Sequence, residues 1–542
     1  MKAKSQGINA SSSKPVSKII LVVTVLLMLV AATAYFLLKN DATDANTIVG
    51  DAYQQPATEQ ELAEGAMLAR QYCQSCHLLP DPLSLNKNKW KNILPQMGIR
   101  LGIKQHYGES YEESIKSVDL VVPAKPLITH KQWQNILAYY MGRSPIFLPA
   151  QARPDQIERS MPFFSIKSPG KEFSGKQVLA TYVKIDTSVK PARLFVADGQ
   201  AHKLFLLDRS LSVIDSIRTA GPVVDISFEK ERILVCMIGT ELGANDDKAG
   251  TIAELTINKD GKMSLGQQPV FSNLARPVQI MAADLNGDSL ADYLICEFGN
   301  LKGALSWMEN KGNGAYVKHI ISNLPGAEKA YIDYPQGSKL PDIWVLFTQG
   351  QERVSHLKNL GNGHFSEIPV LRFPAIYGSS FFEMVDVNQD GLKDIVYTCG
   401  DNGNATLVLK PYHGVYLFIN DGHGQYVQKY FYPINGCYKA LARDFDGDGY
   451  IDIATVSLYT DAHQPEEGFV YLKGNGGFHF KPFSVPRDTK FERAVTMADG
   501  DLNGDGKTDL LIGNAFFDIG PFAYNITEPL FYLLQNKSGN HQ

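Results

Sequence analysis

The sequence predicts a multidomain chain: a small all-α domain, then an all-β propeller best fitted by seven blades, with one N-terminal transmembrane helix in front. Three observations predict it. An apolar run, residues 19–38, follows a basic N-terminus. Helical periodicity occupies residues 58–147. From residue 161 onward, short β-branched and aromatic runs alternate with Gly/Asn/Asp turns at intervals of roughly 40 to 60 residues. A length of 542 residues exceeds what one core can organise. A net charge of −5 and the lack of a long Lys/Arg run exclude nucleic acid as a partner.

In chain order, residues 1–18 carry Lys2, Lys4, Lys14 and Lys18 and read as a cytoplasmic basic N-terminus. Residues 19–38 contain no charge and, at 1.5 Å per residue, span roughly the 30 Å of a bilayer's hydrocarbon. Asp41 and Asp44 come next, which orients the remainder outward. A membrane anchor and a cleaved signal with Ala32-Thr33-Ala34 as its cleavage site are the two readings, and both export the rest of the chain. The expected location is therefore the cytoplasmic membrane, single-pass, with the membrane engaged through the N-terminal helix and the domains outside. Residues 39–57 are polar and aperiodic, as a flexible tether is.

Residues 58–147 begin with a capping box, Thr58-x-x-Glu61, and a helix through "EQELAEGAMLARQYCQSCH". A second helix, "THKQWQNILAYYMG", starts from Thr129, and a short one in "NKWKNILPQMG" is expected to end at Pro95. Cys73-x-x-Cys76-His77 closes the first helix. A zinc site needs a second ligand pair, and none occurs in residues 58–150; a redox dithiol needs a βαβ context, which is also missing. The remaining reading is attachment of one haem c. The pattern resembles a c-type cytochrome domain. The resemblance implies thioether bonds from Cys73 and Cys76, His77 as the proximal iron ligand, and Met97 as the distal one, with Met141 as the alternative. It also implies that Gly65 on the first helix packs against Tyr139 or Tyr140 on the last.

After a linker, 148–160, the repeats occupy residues 161–542. Four copies of D-x-[DN]-x-D-x-x-x-D start at Asp284, Asp386, Asp444 and Asp501, each running into an apolar strand. Weaker copies are placed by phase at Asp186, Asp225 and Asp333. Hairpin turns of the "NKGNGAY" kind lie downstream. The last copy lacks its final strand, which "MPFFSIKS" near residue 161 would supply, closing the ring; six or eight blades are the alternatives.

The Asp-rich loops read as calcium sites, up to four of them. The ligands would be Asp284, Asn286, Asp288 and Asp292; Asp386, Asn388, Asp390 and Asp394; Asp444, Asp446, Asp448 and Asp452; and Asp501, Asn503, Asp505 and Asp509. Leu290, Leu392, Tyr450 and Lys507 would each add a backbone carbonyl. An EF-hand is excluded, because its bidentate Glu position holds Ile295, Tyr397, Thr455 or Ile512. The alternative is a set of Asx-turns without metal. These units resemble the FG-GAP and VCBS repeats of integrin α-chain propellers and bacterial surface proteins, which implies a calcium-stapled scaffold. The whole arrangement resembles bacterial VCBS-repeat proteins.

Cys236, Cys296, Cys399 and Cys437 lie singly on strands and read as buried thiols, with a Cys399–Cys437 bridge as the alternative. Asp401, Asn402, Lys410, Tyr412, His413, Glu466 and Glu467 are the polar candidates in the propeller. The expected function is electron transfer, with a redox partner protein docked on the propeller. The alternative is an oxidoreductase whose propeller binds a small-molecule substrate such as a saccharide; a surface adhesion module is the weaker third. A catalytic residue set in the propeller's central funnel favours the substrate reading, and a funnel lined only by Asp-loop backbone and apolar residues favours docking.

Overall fold

The computed structural model describes residues 57–103, 122–175, 177–230, 232–403, 408–487, 489, 491, 493–516 and 528–539. Two compact units emerge. The first holds most of three α-helices: α1, Glu59–Tyr72, up to Leu68; α2, Lys87–Arg100, from Trp90; and α3, His130–Arg143. Reciprocal capping starts α1, where Glu61 N donates to Thr58 Oγ1 (3.3 Å) and Thr58 N donates to Glu61 Oε2 (3.1 Å). Thr129 and Gln132 repeat the device at α3.

Glycines set how closely these helices approach. A Cβ on Gly65 would stand 1.9 Å from the Asn135 carbonyl oxygen and 2.8 Å from Tyr139 Cβ, so α1 and α3 meet backbone to backbone there. Gly98 of α2 lies against the Trp133 ring, and Trp90 packs on Tyr140 with centroids 4.5 Å apart. The α2 helix passes through Pro95 instead of ending there. Burial of Leu94, Gly98 and Ile99 around the break compensates the lost backbone bond. Met97 is consequently a helical residue, not the turn residue expected.

This changes the predicted class. The helices do not close as a separate all-α cytochrome domain, because Ala69–Lys89, with both cysteines and His77, groups with the β unit and only residues up to Leu68 and from Trp90 to Arg143 group with the helices. Among the described residues no helix is long and apolar enough to cross a membrane. The three α-helices have 14 residues each, about 21 Å at 1.5 Å per residue, against roughly 30 Å of hydrocarbon. Residues 19–38 lie outside the described residues, and the expected single-pass membrane location is withdrawn.

The β unit is a succession of seven antiparallel blades. Their innermost strands are Val178–Asp186, Val223–Phe228, Pro277–Ala283, Ala327–Asp333, Ser379–Val385, Cys437–Arg443 and Ala494–Gly500. Each innermost strand touches the next, and the seventh touches the first, so the series closes. Blade 7 is completed from the other end of the unit: Phe164–Lys167 pairs antiparallel with Phe531–Asn536. A continuous sheet also joins blades 7 and 1, through Ala515↔Leu179 and Phe516↔Val178. Neighbouring blades share apolar cores; Val396, Val415 and Leu417 of blade 5 pack with Ala440, Ile453 and Val470 of blade 6.

All seven innermost strands break register at the same level. The skipped residues are Thr181, Val224, Val278, Glu328, Ser380, Tyr438 and Val495. A bulge leaves one residue unpaired and redirects its neighbours. Repeated seven times, it places two successive side chains per blade along the central cavity.

Candidate functional site

The four Asp loops come directly after innermost strands. The position-one carboxylates are held by the loops' own amides: Ser289, Gly391, Gly449 and Gly506 donate N–H to Asp284, Asp386, Asp444 and Asp501 at 2.8 to 3.0 Å. That sixth position has a positive φ in every loop, +69° at Ser289 and +81° to +90° at the glycines. Ser289 thus adopts the same turn at a steric cost. Leu290, Leu392, Tyr450 and Lys507 donate N–H to the fifth-position Asp of their loops. Asn286, Asn388 and Asn503 donate side-chain N–H to Asp288, Asp390 and Asp505.

The ninth-position aspartates are fully buried. One oxygen of each accepts the second-position amide of its loop: Leu285, Val387, Phe445 or Leu502. The other accepts the amide of Asn310, Asn420, Gly474 or Asn536, at the downstream hairpin turn. These carboxylates therefore tie each loop to its hairpin. Burial raises them above the usual carboxylate range, to about 6 for Asp452 and Asp509.

The donor set of alternating carboxylate and amide oxygens suits a hard cation. Carboxylate oxygens of Asp444, Asp446 and Asp452 lie within 4.8 Å of one another. The same loop contains a competitor, because the Lys473 ammonium donates to both Asp446 and Asp448. At the position of Lys473 the other repeats place Glu309, Ile419 and Gln535. In blade 6 the chain supplies its own cation to the loop.

Cys73–Ser75 forms a single 3₁₀ turn after α1. Cys73 is half-buried and Cys76 exposed, both as free thiols. Burial, with a smaller contribution from Cys76, pushes the Cys73 thiol up to about 11. His77 Nδ1 lies 2.8 Å from the Leu78 carbonyl oxygen, which can only accept, so Nδ1 donates, and in the neutral ring Nε2 is the nitrogen open to a metal. That tautomer is the one a metal takes. A cavity of about 180 Å³ adjoins these residues, bounded by residues 74–78 on one side and by Glu352, Arg353, Arg372 and Phe373 of the propeller on the other. The lining offers the Cys76 thiol, the His77 imidazole, the Phe373 ring and the Arg372 guanidinium, with Cys73 just outside it; Arg353 is buried and paired with Glu367 (2.7 Å). Of the thioethers, Met97 is half-buried on α2 and Met141 is buried in α3.

The polar candidates of blades 5 and 6 are structural. Lys410 is fully buried and donates to the Ile376 carbonyl (3.1 Å). His413 is buried against the Tyr377 carbonyl (3.0 Å), and burial with the Lys410 charge holds it neutral. Tyr412 donates to the Ser84 carbonyl (3.1 Å). Asp401 and Asn402 brace their own loop, and Glu466 lies 3.6 Å from Arg159. Glu467 accepts from Arg153 and Asn435. All six cysteines are free, so no Cys399–Cys437 bridge forms.

The channel is the feature the sequence pattern missed. Tyr182, Asp225, Gln279, Lys329, Phe381, Lys439 and Thr496, one per blade, come just after the seven bulges and line a central cavity of about 360 Å³. Asp225, placed by phase as a weak loop copy, is one of them. Its strand partner is Cys236, matching Gln279↔Cys296 in blade 3, so it precedes its loop by several residues.

An FG-GAP-like repeat model matches residues 337–397 and 444–512, covering blades 4 to 7 in part. No curated protein sequence matches the chain. Among solved structures, the chain is similar to the N-terminal domain of Nup159, at 11% identity and TM-score 0.39, over 71% of this chain and 100% of that one. Saccharomyces cerevisiae Sqt1 gives 11% identity and TM-score 0.39, over 71% and 100%. BBS1N in complex with ARL6DN gives 10% and 0.38, over 71% and 94%. The β unit is thus, by its seven blades and the repeat match, propeller-like and carries FG-GAP-like repeats, an architecture that fits a binding or docking module.

Proposed function

We propose that this chain is a redox-active binding protein. Cys73 and Cys76 hold one haem c covalently, His77 Nε2 binds its iron, and the propeller binds the molecule that exchanges electrons with it. The observation that carries this reading is the His77 ring held through Nδ1 by the Leu78 carbonyl, beside two free thiols and a cavity walled by the propeller. The bound group supplies one-electron transfer. Leu78 holds the imidazole, and the exposed Arg372 would offer positive charge to a carboxylate, whereas Arg353 is paired with Glu367. Calcium in the Asp loops stabilises the scaffold, most firmly in blades 3, 5 and 7.

Between a docked partner protein and a small-molecule substrate, the polar ring of the channel favours the substrate, which makes the chain an oxidoreductase. Acid–acetone extraction tests the haem assignment. The haem stays with the wild-type chain and is released from a Cys73→Ala/Cys76→Ala variant. Complete extraction from the wild type refutes covalent attachment.

A further inference from the structure

The seven bulges create one level of the channel at which charge is left uncompensated. There, blades 4 and 6 present Lys329 and Lys439, and blade 5 between them presents Phe381. The lysine stems lie over aromatic rings: the Lys329 ammonium is 5.3 Å from the Tyr331 centroid, and that of Lys439 is 5.0 Å from the Phe381 centroid. Among the described residues neither ammonium has a hydrogen bond or an ion pair within 4 Å. Both are half-buried and face the cavity.

The surrounding groups do not neutralise the pair. Gln279 spends its amide on Ala330, accepting from its N–H (2.7 Å) and donating to its carbonyl (3.3 Å). Asp225, across the channel on blade 2, accepts the Ile280 amide through Oδ2 (3.0 Å) and makes no ion pair within 4 Å with either lysine. Glu383 and Asp499, further along, are both paired with Arg443 at 2.8 Å. Glu328 sits at the bulge toward Arg276, one residue from Lys329. Tyr182 and Thr496 add hydroxyl groups and no charge. Two ammonium groups in a narrow channel repel each other unless an anion lies between them, and charge-assisted contacts of that kind are the strong ones.

We infer that the central channel is a binding site for a small organic anion, whose carboxylate, sulfate or phosphate group is held between Lys329 and Lys439 and whose hydroxyl or amine donates to Asp225. The cavity of about 360 Å³ suits a ligand of monosaccharide size. The inference rests on the propeller being a binding module and is independent of the haem.

The test uses the full chain with calcium held constant. Glucuronate, sulfate and, as the neutral control, glucose are compared at equal ionic strength by thermal melting and calorimetry. Glucuronate and sulfate bind and raise Tm, whereas glucose does not. Lys329→Met and Lys439→Met each weaken anion binding at least tenfold. Crystals soaked in selenate show an anomalous peak between the two ammonium groups, a readout that does not depend on the variants folding. Equal response to glucose and glucuronate, or no selenate peak at that position, overturns the inference. The haem absorbance of the same sample is recorded, so an absent anion site with intact haem refutes this inference alone.

Discussion

Replacing Asp394 by alanine separates two roles that the Asp loops combine. Its Oδ2 accepts the Val387 amide and its Oδ1 the Asn420 amide, each at 2.9 Å, and the side chain is fully buried. Alanine leaves two buried N–H groups without acceptors. Hydrogen bonds to a charged group are worth about 1.5–3 kcal/mol each, and an orphaned buried donor costs about 1–3 kcal/mol. Against this stands the burial that holds the Asp394 carboxyl above its usual range, so ionising it in place already costs part of the gain. The net expectation is a loss of about 2–4 kcal/mol. Urea melts followed by intrinsic fluorescence give the number, because Trp307 and Trp344 report on blades 3 and 4. The measurement is made with calcium and again with excess chelator. If Asp394 ties the loop to its hairpin, the loss persists in chelator. Asp390→Ala is the control: Asp390 is exposed and holds only the Leu392 amide and the Asn388 side chain, so it costs under about 1 kcal/mol without calcium. A loss at Asp394 below about 1 kcal/mol, or one that vanishes with chelation, refutes the tie and makes the residue a ligand only.

Gly65→Ala drives a Cβ into the Asn135 carbonyl and lowers helical stability, read by far-ultraviolet circular dichroism, by about 3 kcal/mol or more; Gly142→Ala meets only the end of the Leu62 side chain and costs about 1 kcal/mol. Lys473→Met removes the resident cation from the blade 6 loop, so calorimetry with calcium finds one more tight site than in the wild type. Glu352 is buried and held up to about 7, above the 4.5 of an exposed glutamate. A raised acid binds its proton more tightly when folded, so its penalty is absent below about pH 4.5 and complete above about pH 7. Glu352→Gln therefore gains about 2 kcal/mol relative to the wild type between pH 5 and pH 8, checked by melts at both values.

Much of the chain was legible because the relevant signals are local. Thr58 with Glu61 and the Gly65 contact could be read directly, since caps and close helix approaches leave their marks within a few residues. The Asp loops announced themselves through the spacing of their carboxylates, and Phe164–Lys167 as the closing strand could be inferred from an unfinished last repeat. Two kinds of feature were not legible. Pro95 looked like a helix end because the sequence does not show the burial of Leu94, Gly98 and Ile99 that carries α2 past it. Asp225 looked like a degraded loop because its phase depends on a bulge, and a bulge has no residue signature when Thr181, Glu328 and Tyr438 can all occupy it. The channel ring exists only once seven strands are placed side by side. The separate cytochrome domain was over-read: Cys73, Cys76 and His77 are present as the motif requires, but their segment groups with the propeller unit.

Whether Cys73, Cys76 and His77 carry a covalent haem beside the propeller is read most plainly from the alkaline-pyridine spectrum of the full chain made together with c-type haem maturation factors. The expected spectrum has the bands of a haem joined by two thioether bonds, at one haem per chain, and loses them in Cys73→Ala/Cys76→Ala. A spectrum of non-covalent haem, or no haem at all in a folded wild-type chain, rules the assignment out.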